Sequence, residues 1–162
     1  MRRLLPVLGA LLLASACGGE EGLDRADSQA VFRAAMAAVH DGDWATLETL
    51  LTAEARSEME RVFERLQGRL RDPESGGHER AQARAQLGER HGDEIRRVIQ
   101  GGPAEALRFC ALLMPREREP DVRGAQEAGG GRTILYTTND GTLRPVRLVL
   151  LDGQWFIADL QL

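Results

Sequence analysis

The sequence predicts an α+β domain in which N-terminal helices pack on a C-terminal antiparallel meander sheet. Apolar residues recur every three or four positions between residues 28 and 114, which is the spacing of amphipathic helices. After Gly131 the apolar spacing becomes two, which is typical of strands. The pairs Asp140-Gly141 and Asp152-Gly153 suit two-residue hairpin turns, because both central positions of such a turn need a positive φ.

The boundaries of the first helices follow from capping and helix-breaking residues. Ser28 is expected to cap the first helix and Gly42 to end it. Asp43 is expected to cap a short second helix, and Thr52 a third that stops at Asp72-Pro73. These residues therefore predict three helices in the first half of the chain.

A polar helix is expected next, from about His78 to Gln100. The composition of residues 72–86 suits either a solvated helix or a mobile loop. Proline is favoured in the first turn of a helix, so Pro103 predicts a further helix that ends at Met114-Pro115.

Three strands are expected at the C-terminal end of the chain: Thr133 to Asn139, Thr142 to Leu151 and Gln154 to Leu162. Residues 115–131 are charged and rich in glycine. We therefore expect at most an edge strand in that segment, near Val122.

Two-residue turns fix the register of these strands. They pair Val146 with Asp159, and Arg144 with both Thr137 and Gln161. Arg144 and Asp159 are then diagonal neighbours on one face, and we expect them to form a cross-strand ion pair.

Both faces of this sheet are largely apolar, whereas a sheet with one exposed face alternates apolar and polar residues. We therefore expect helices on one face, and a further helix or a second subunit on the other. A homodimer through the sheet is one hypothesis that follows. The first face contains Leu135, Val146, Leu148, Leu150, Trp155 and Ile157. The second contains Ile134, Tyr136, Leu143, Arg147, Val149, Phe156, Ala158 and Leu160.

The N-terminus has the pattern of an export signal. Arg2 and Arg3 precede an uncharged, mostly apolar run from Leu4 to Ala16, and small residues stand before Cys17. A helix of that run is about 20 Å long, shorter than the ~30 Å hydrocarbon core of a membrane. An ordinary secretory signal, cut after Ala16, would leave a soluble protein.

The segment Leu13-Ala14-Ser15-Ala16-Cys17 also resembles the lipobox of bacterial lipoproteins. The resemblance implies a signal peptide at 1–16, lipid on Cys17 that anchors the chain to a membrane, and a tether to residue 27 before a single domain at 28–162. Several acyl chains would hold the protein firmly. Gly18 looks like an outer-membrane address, which implies an exported protein that faces the periplasm.

Composition makes several classes of partner unexpected. Loss of residues 1–16 removes two of 21 cations and leaves 25 carboxylates, a net charge of −6, and no basic face suggests nucleic-acid binding. No cofactor or metal is expected. His78 and His91 lack a ligand partner at a recognisable spacing, and His40-Asp41-Gly42-Asp43, which could suggest a metal, is better explained by Gly42-Asp43 as a helix stop and cap. Cys110 has no partner for an intramolecular disulfide once Cys17 is lipidated, and we interpret it as a small buried apolar residue.

The segments at the two ends of the domain resemble the nuclear transport factor 2-like (cystatin-like α+β) superfamily. The first segment, Ala30 to Leu51, contains a predicted helix, the pair Gly42-Asp43 and a short predicted helix. The second segment, Arg147 to Asp159, contains two predicted strands joined at Asp152-Gly153. The resemblance implies helices folded on a curved sheet, often with a pocket between them. Residues 53–118 depart from it, because they form a longer helical stretch than is usual.

That superfamily includes enzymes similar to ketosteroid isomerase, scytalone dehydratase and polyketide cyclases, and many non-catalytic modules, so the fold does not choose a function. An isomerase-like site needs a carboxylate base and an oxyanion donor in one dry pocket. Asp159 and Tyr136 are suitable types, but the predicted register places them on opposite faces.

The leading hypothesis is therefore a membrane-anchored envelope lipoprotein with a non-catalytic domain that binds an envelope protein or a small apolar ligand. One alternative is an isomerase, dehydratase or cyclase-like enzyme that uses a carboxylate in the pocket of the fold. The other is an oligomeric assembly or structural factor of the cell envelope.

Overall fold

A computed structural model describes residues 23–114, 121–138 and 144–160. Within these residues the chain has an α+β fold, with helices that precede a four-stranded antiparallel meander sheet. The predicted fold class is confirmed at this level. The predicted signal peptide, Cys17 and the Asp140-Gly141 turn lie outside the described residues.

The helices follow one another closely along the chain. They are α1 (Ser28–Asp41), α2 (Trp44–Leu50), α3 (Ala53–Arg71), α4 (Gly77–Leu87), a 3₁₀ turn (Gly88–Arg90), α5 (His91–Gln100) and α6 (Pro103–Leu113). The strands are β1 (Asp121–Gly129), β2 (Arg132–Thr138), β3 (Arg144–Leu151) and β4 (Gln154–Asp159), and their order in the sheet is the order of the sequence.

Most of the predicted helix boundaries are confirmed. Gly42 ends α1 with a left-handed φ of 68°. The side chains of Asp43 and Thr52 accept hydrogen bonds from the amides of Thr46 and Ala55, and so cap α2 and α3. Pro103 occupies the first turn of α6.

The predicted cap of α1 is wrong by one residue. Asp27 is the cap, and its carboxylate accepts the amide N–H of Gln29 at 2.8 Å, whereas Ser28 is already helical. Both residue types are good caps, so the choice depends on where the chain leaves the extended conformation.

The single polar helix expected from His78 to Gln100 is also wrong. It is interrupted by the 3₁₀ turn at Gly88, whose φ of 57° and ψ of −131° favour glycine. Apolar residues keep a weak helical spacing across this break, so the sequence pattern does not reveal it. Residues 72–86, which suited either a helix or a loop, form a turn and then α4.

The sheet contains a fourth strand, β1, at the edge where the sequence allowed at most an edge strand near Val122. β1 pairs antiparallel with β2 along its length, with irregularities between Val122 and Gly124 and between Glu127 and Gly129. Residues 123–129 are exposed, and only Val122 packs partly against the core. A strand at the sheet edge with almost no buried side chains has no apolar alternation to reveal it.

The predicted register is confirmed in part. Thr137 pairs with Arg144, and Leu151 pairs with Gln154 around the turn at Asp152-Gly153, whose φ values are 50° and 79°. The pairing of Val146 with Asp159 is wrong, because a bulge after Ile157 places Asp159 opposite Arg147. Gln161 lies outside the described residues.

The helices cover one face of the sheet. Leu135, Val146, Leu148 and Ile157 are buried there, as predicted, in one core with side chains of the helices. The expected members Leu150 and Trp155 lie at the margin of the core, since Leu150 is 38% exposed and Trp155 half-buried. The largest fully buried helical side chains are Phe32, Leu47, Leu50, Leu70, Leu107 and Phe109.

The opposite face of the sheet is only half-buried. Ile134, Tyr136, Val149 and Phe156 lie on it, and the Arg25 guanidinium stands 5.7 Å from the centre of the Phe156 ring. The expectation that a further helix or a second subunit covers the remainder of this face stays a prediction.

The free edge of β4 is held by two earlier segments. The Thr52 amide donates to the Ile157 carbonyl at 2.9 Å, beside a parallel bridge between Leu51 and Ile157. The Trp155 amide donates to the Arg25 carbonyl at 2.8 Å. The last residues of the predicted tether are therefore in contact with the domain.

The turn between α1 and α2 predicts a contrast between two glycines. A Cβ at Gly42 would lie 2.7 Å from the Arg108 Cα and require a left-handed residue, whereas Gly68 in α3 has open space around it. Gly42→Ala is expected to lower the free energy of unfolding by about 2 kcal/mol or more. Gly68→Ala is expected to raise it by about 0.5–1 kcal/mol, because alanine costs less entropy in a helix. Urea unfolding followed by circular dichroism measures both, and equal effects would contradict the prediction.

Candidate functional site

An open groove lies between α3, the C-terminal end of α6 and the end of β4, with a volume of about 1020 Å³. The apolar residues that line it are Ala53, Ala55, Met59, Val62, Phe63, Cys110, Met114, Ala158 and Leu160. The polar residues that line it are Glu54, Ser57, Glu58, Arg61, Arg147 and Asp159.

The α3 wall combines two parts of one helix surface. Met59 and Phe63 are one turn apart and buried, so they pack on the core while they border the groove. The Trp44 ring meets the Phe63 ring edge to face, with 5.7 Å between their centres, which fixes the orientation of Phe63. Val62 lies beside this buried stripe and is 44% exposed. The groove is thus an extension of the core toward solvent.

Among the described residues that line the groove, four charged side chains form ion pairs with each other. Glu58 contacts Arg61 at 2.6 Å and Arg65 at 3.3 Å, and all three side chains are more than half exposed. Such exposed pairs contribute at most about 1 kcal/mol to stability. Their main effect here is to compensate charge beside an apolar surface.

Cys110 lies in the groove wall and is half-buried, less than the sequence interpretation expected. Burial raises the pKa of its thiol to about 11, because removal from water penalises the thiolate. The thiol is therefore neutral at pH 7 and acts as a small apolar group. A nucleophilic cysteine needs the opposite shift of its pKa.

The two residues that the sequence proposed as an ion pair lie in different places. Asp159 borders the groove, and its carboxylate lies 3.5 Å from the Arg147 guanidinium, a consequence of the bulge in β4. Arg144 lies opposite Thr137, whose hydroxyl donates to the Arg144 carbonyl at 3.2 Å. Arg144 is not one of the described residues that line the groove. The predicted diagonal arrangement fails because the bulge shifts β4 by one residue.

Asp159 and Tyr136 do not share a pocket in the described part of the chain. The Tyr136 hydroxyl donates to the Gln126 side-chain oxygen at 3.0 Å, across β1 and β2, whereas Asp159 lies at the groove. The carboxylate is 35% exposed at the rim of an open groove. This position is open to solvent, whereas an isomerase-like site needs its carboxylate in a dry pocket.

Sequence reasoning did not identify the groove. The exposure of Val62 follows from where α6 and β4 end, which residue spacing alone does not give. The one available signal was the expected length of the helical segment that begins at residue 53, since α3 and α6 of this segment supply two walls of the groove.

The described residues contain neither a metal-binding cluster nor a membrane-spanning helix. Within residues 23–114, 121–138 and 144–160, no group of three histidine, cysteine, aspartate or glutamate side chains could hold a metal ion. The His91 ring contacts the Gly88 carbonyl through Nδ1 at 2.6 Å. None of the helices in this part of the chain has the length and apolar character needed to cross a membrane.

We compared the chain with protein-family models, with curated proteins and with solved structures, and none of them matches it. The resemblance to the cystatin-like superfamily therefore stays a prediction, and the site has to be judged by its own chemistry.

The raised pKa of Cys110 predicts slow alkylation of the native protein. At pH 8 iodoacetamide is expected to modify this thiol about 100-fold more slowly than in the unfolded chain, because the pKa rises from 9.0 to about 11. The rate is expected to increase about tenfold per pH unit up to roughly pH 11. Mass spectrometry of the Cys110 peptide measures the rate, with the protein in guanidinium chloride as the control. Equal native and unfolded rates would contradict this prediction.

Proposed function

We propose that this chain is a membrane-anchored envelope lipoprotein whose domain is a non-catalytic binding module. The groove between α3, α6 and β4 is its binding site. The ligand is a small apolar molecule or an apolar segment of an envelope protein. The lipobox-like segment at Leu13 to Cys17 supports the anchor, and Gly18 supports an outer-membrane location that faces the periplasm.

The observation that carries the binding role is the chemistry of the groove. Its volume of about 1020 Å³ is at the upper end of the range of about 300–1,000 Å³ that is usual for small-molecule sites. Val62, Met114 and the neutral thiol of Cys110 offer apolar surface without a competing charge. A ligand that covers Val62 gains hydrophobic free energy, since this side chain is 44% exposed.

The arrangement of polar groups supports a non-catalytic role. The carboxylate of Asp159 is paired with Arg147, and Glu58 is paired with Arg61 and Arg65. The enzyme alternative rests on Asp159 as the carboxylate of the groove. For that role the side chain would have to exchange Arg147 for a substrate and lose its contact with water.

For the fold, we propose membership of the nuclear transport factor 2-like superfamily. Three features support it: the left-handed Gly42 turn between α1 and α2, the hairpin at Asp152-Gly153, and a bulge in β4. This proposal concerns the fold alone and assigns no activity.

The anchor is tested by the intact mass of the mature protein expressed in a bacterial host. We expect a chain that begins at Cys17 with acyl groups attached, and loss of both features in Cys17→Ser. An unmodified chain of 146 residues, which is 162 less the 16 of the signal, would instead indicate a secreted soluble protein.

The groove is tested with a diazirine-bearing palmitic acid that is photocrosslinked to the purified lipoprotein in detergent. We expect adducts on peptides of α3 and α6, and at least about a tenfold loss of them in Val62→Asp, because a buried carboxylate opposes an apolar ligand. Ala37→Asp, which adds the same charge at an exposed position of α1, is the matched control. Adducts that avoid α3 and α6, or that are unchanged in Val62→Asp, would argue against the groove as the site.

A second candidate function is assembly through the sheet. The half-buried residues Ile134, Tyr136, Val149 and Phe156 favour it, because they form an apolar face without helices of the described chain on it. Sedimentation of the lipoprotein in density-matched detergent distinguishes the candidates. Monomer at high micromolar concentration would rule out a homodimer, whereas a dimer that Tyr136→Glu dissociates would support one.

A further inference from the structure

Exposed leucines gather at one end of the domain. Among the described residues, the large apolar side chains that are exposed are Leu23, Val62, Leu150 and Leu151. Val62 belongs to the groove, whereas the three leucines are 38–46% exposed around the β3–β4 hairpin. We call Leu23, Leu150 and Leu151 the leucine end.

Backbone contacts place these leucines around the same hairpin, with Leu150 and Leu151 on opposite faces of β3. Trp155 pairs with Leu150 across the hairpin, and its amide donates to the Arg25 carbonyl at 2.8 Å. Leu151 is the next residue of β3 and begins the turn. Leu23 precedes Arg25 by two residues, so its Cα lies within about 7 Å of the Arg25 Cα.

The leucine end is also where the N-terminal chain joins the domain. Leu23 is six residues from Cys17, and six residues span at most about 22 Å. A lipid on Cys17 would therefore hold the leucine end next to the membrane, at a high effective concentration of lipid.

We infer that the leucine end rests on the lipid surface, with Leu150 and Leu151 in the boundary between headgroups and acyl chains. This inference rests on the proposed lipid anchor. Two arginines, Arg25 and Arg132, and two aspartates, Asp24 and Asp152, lie near the hairpin in the chain and the sheet, so the formal charges of this region balance. The contact therefore depends on apolar side chains rather than on anionic lipid, and it occurs on neutral bilayers.

Such a contact would fix the orientation of the domain. The groove opens beside residues 158–160, at the other end of β4 from the hairpin. A domain that stands on its leucine end holds the groove away from the bilayer, where it faces the aqueous compartment.

Trp155 provides the reporter for a test. The full-length lipoprotein with Trp44→Phe, in which Trp155 is the remaining tryptophan, is reconstituted in phosphatidylcholine vesicles with or without brominated acyl chains. We expect bromine to lower the Trp155 emission roughly two-fold, because an interfacial segment enters about 5–10 Å into the bilayer boundary. Leu150→Asp with Leu151→Asp is expected to abolish this quenching. Leu151→Asp alone is a milder second variant, should the pair disturb folding.

The matched control is Gln82→Asp with Gln86→Asp, which adds the same charge on the exposed face of α4 and should leave quenching unchanged. Flotation with the vesicles and the intact mass report the anchor separately. Acylated protein that floats without quenching, or with quenching unaffected by the leucine variants, would overturn the inference while the anchor stands. Absence of acyl groups would overturn both. Dimerisation that the leucine variants abolish, without quenching, would assign the leucine end to a second copy.

Discussion

One hydrogen bond joins the helical and the sheet halves of the domain at the point where the groove begins. The Thr52 amide donates to the Ile157 carbonyl, and the Thr52 hydroxyl accepts the Ala55 amide as the cap of α3. The α3 wall of the groove therefore begins one residue after Thr52, and the β4 wall begins one residue after Ile157. Because Thr52 and Ile157 are both buried, this junction is protected from water and fixes the two walls relative to each other.

The bulge that follows Ile157 determines what the β4 wall presents. Without it Asp159 would oppose Val146 on the buried face, where a carboxylate would have to leave water without a suitable partner. The bulge turns Asp159 toward Arg147 and places both at the groove rim. The one extra residue that the bulge inserts in β4 thus has two effects. It keeps the core apolar, and it gives the groove a polar border.

The sequence predicted the features that depend on local chemistry. It did not predict those that depend on contacts between separate elements. Gly42, Asp43, Thr52 and the Asp152-Gly153 turn each have a short-range reason for their conformation, and the structure agrees with the predictions made from them. Alternation likewise identified Leu135, Val146, Leu148 and Ile157 as the covered face.

The failures have a shared physical cause. The full length of β1 was not predicted, because this strand has almost no side chains in the core and its pairing with β2 leaves no apolar pattern. The break at Gly88 and the bulge before Asp159 each change the register by backbone geometry, which residue spacing does not report. Asp159 is the one residue of the candidate site that the sequence analysis considered for a pocket. The groove itself depends on where separate elements end, which residue spacing does not show.

The two edges of the sheet differ in how they are closed, and together they limit how the protein can associate. Residues Arg25 and Leu51-Thr52 occupy the edge of β4, while two irregularities interrupt the edge of β1 within nine residues. An unbroken edge is a template for another strand, and an interrupted edge is a poor one. Copies crowded on a surface could therefore meet face to face without their sheets merging into a continuous fibre.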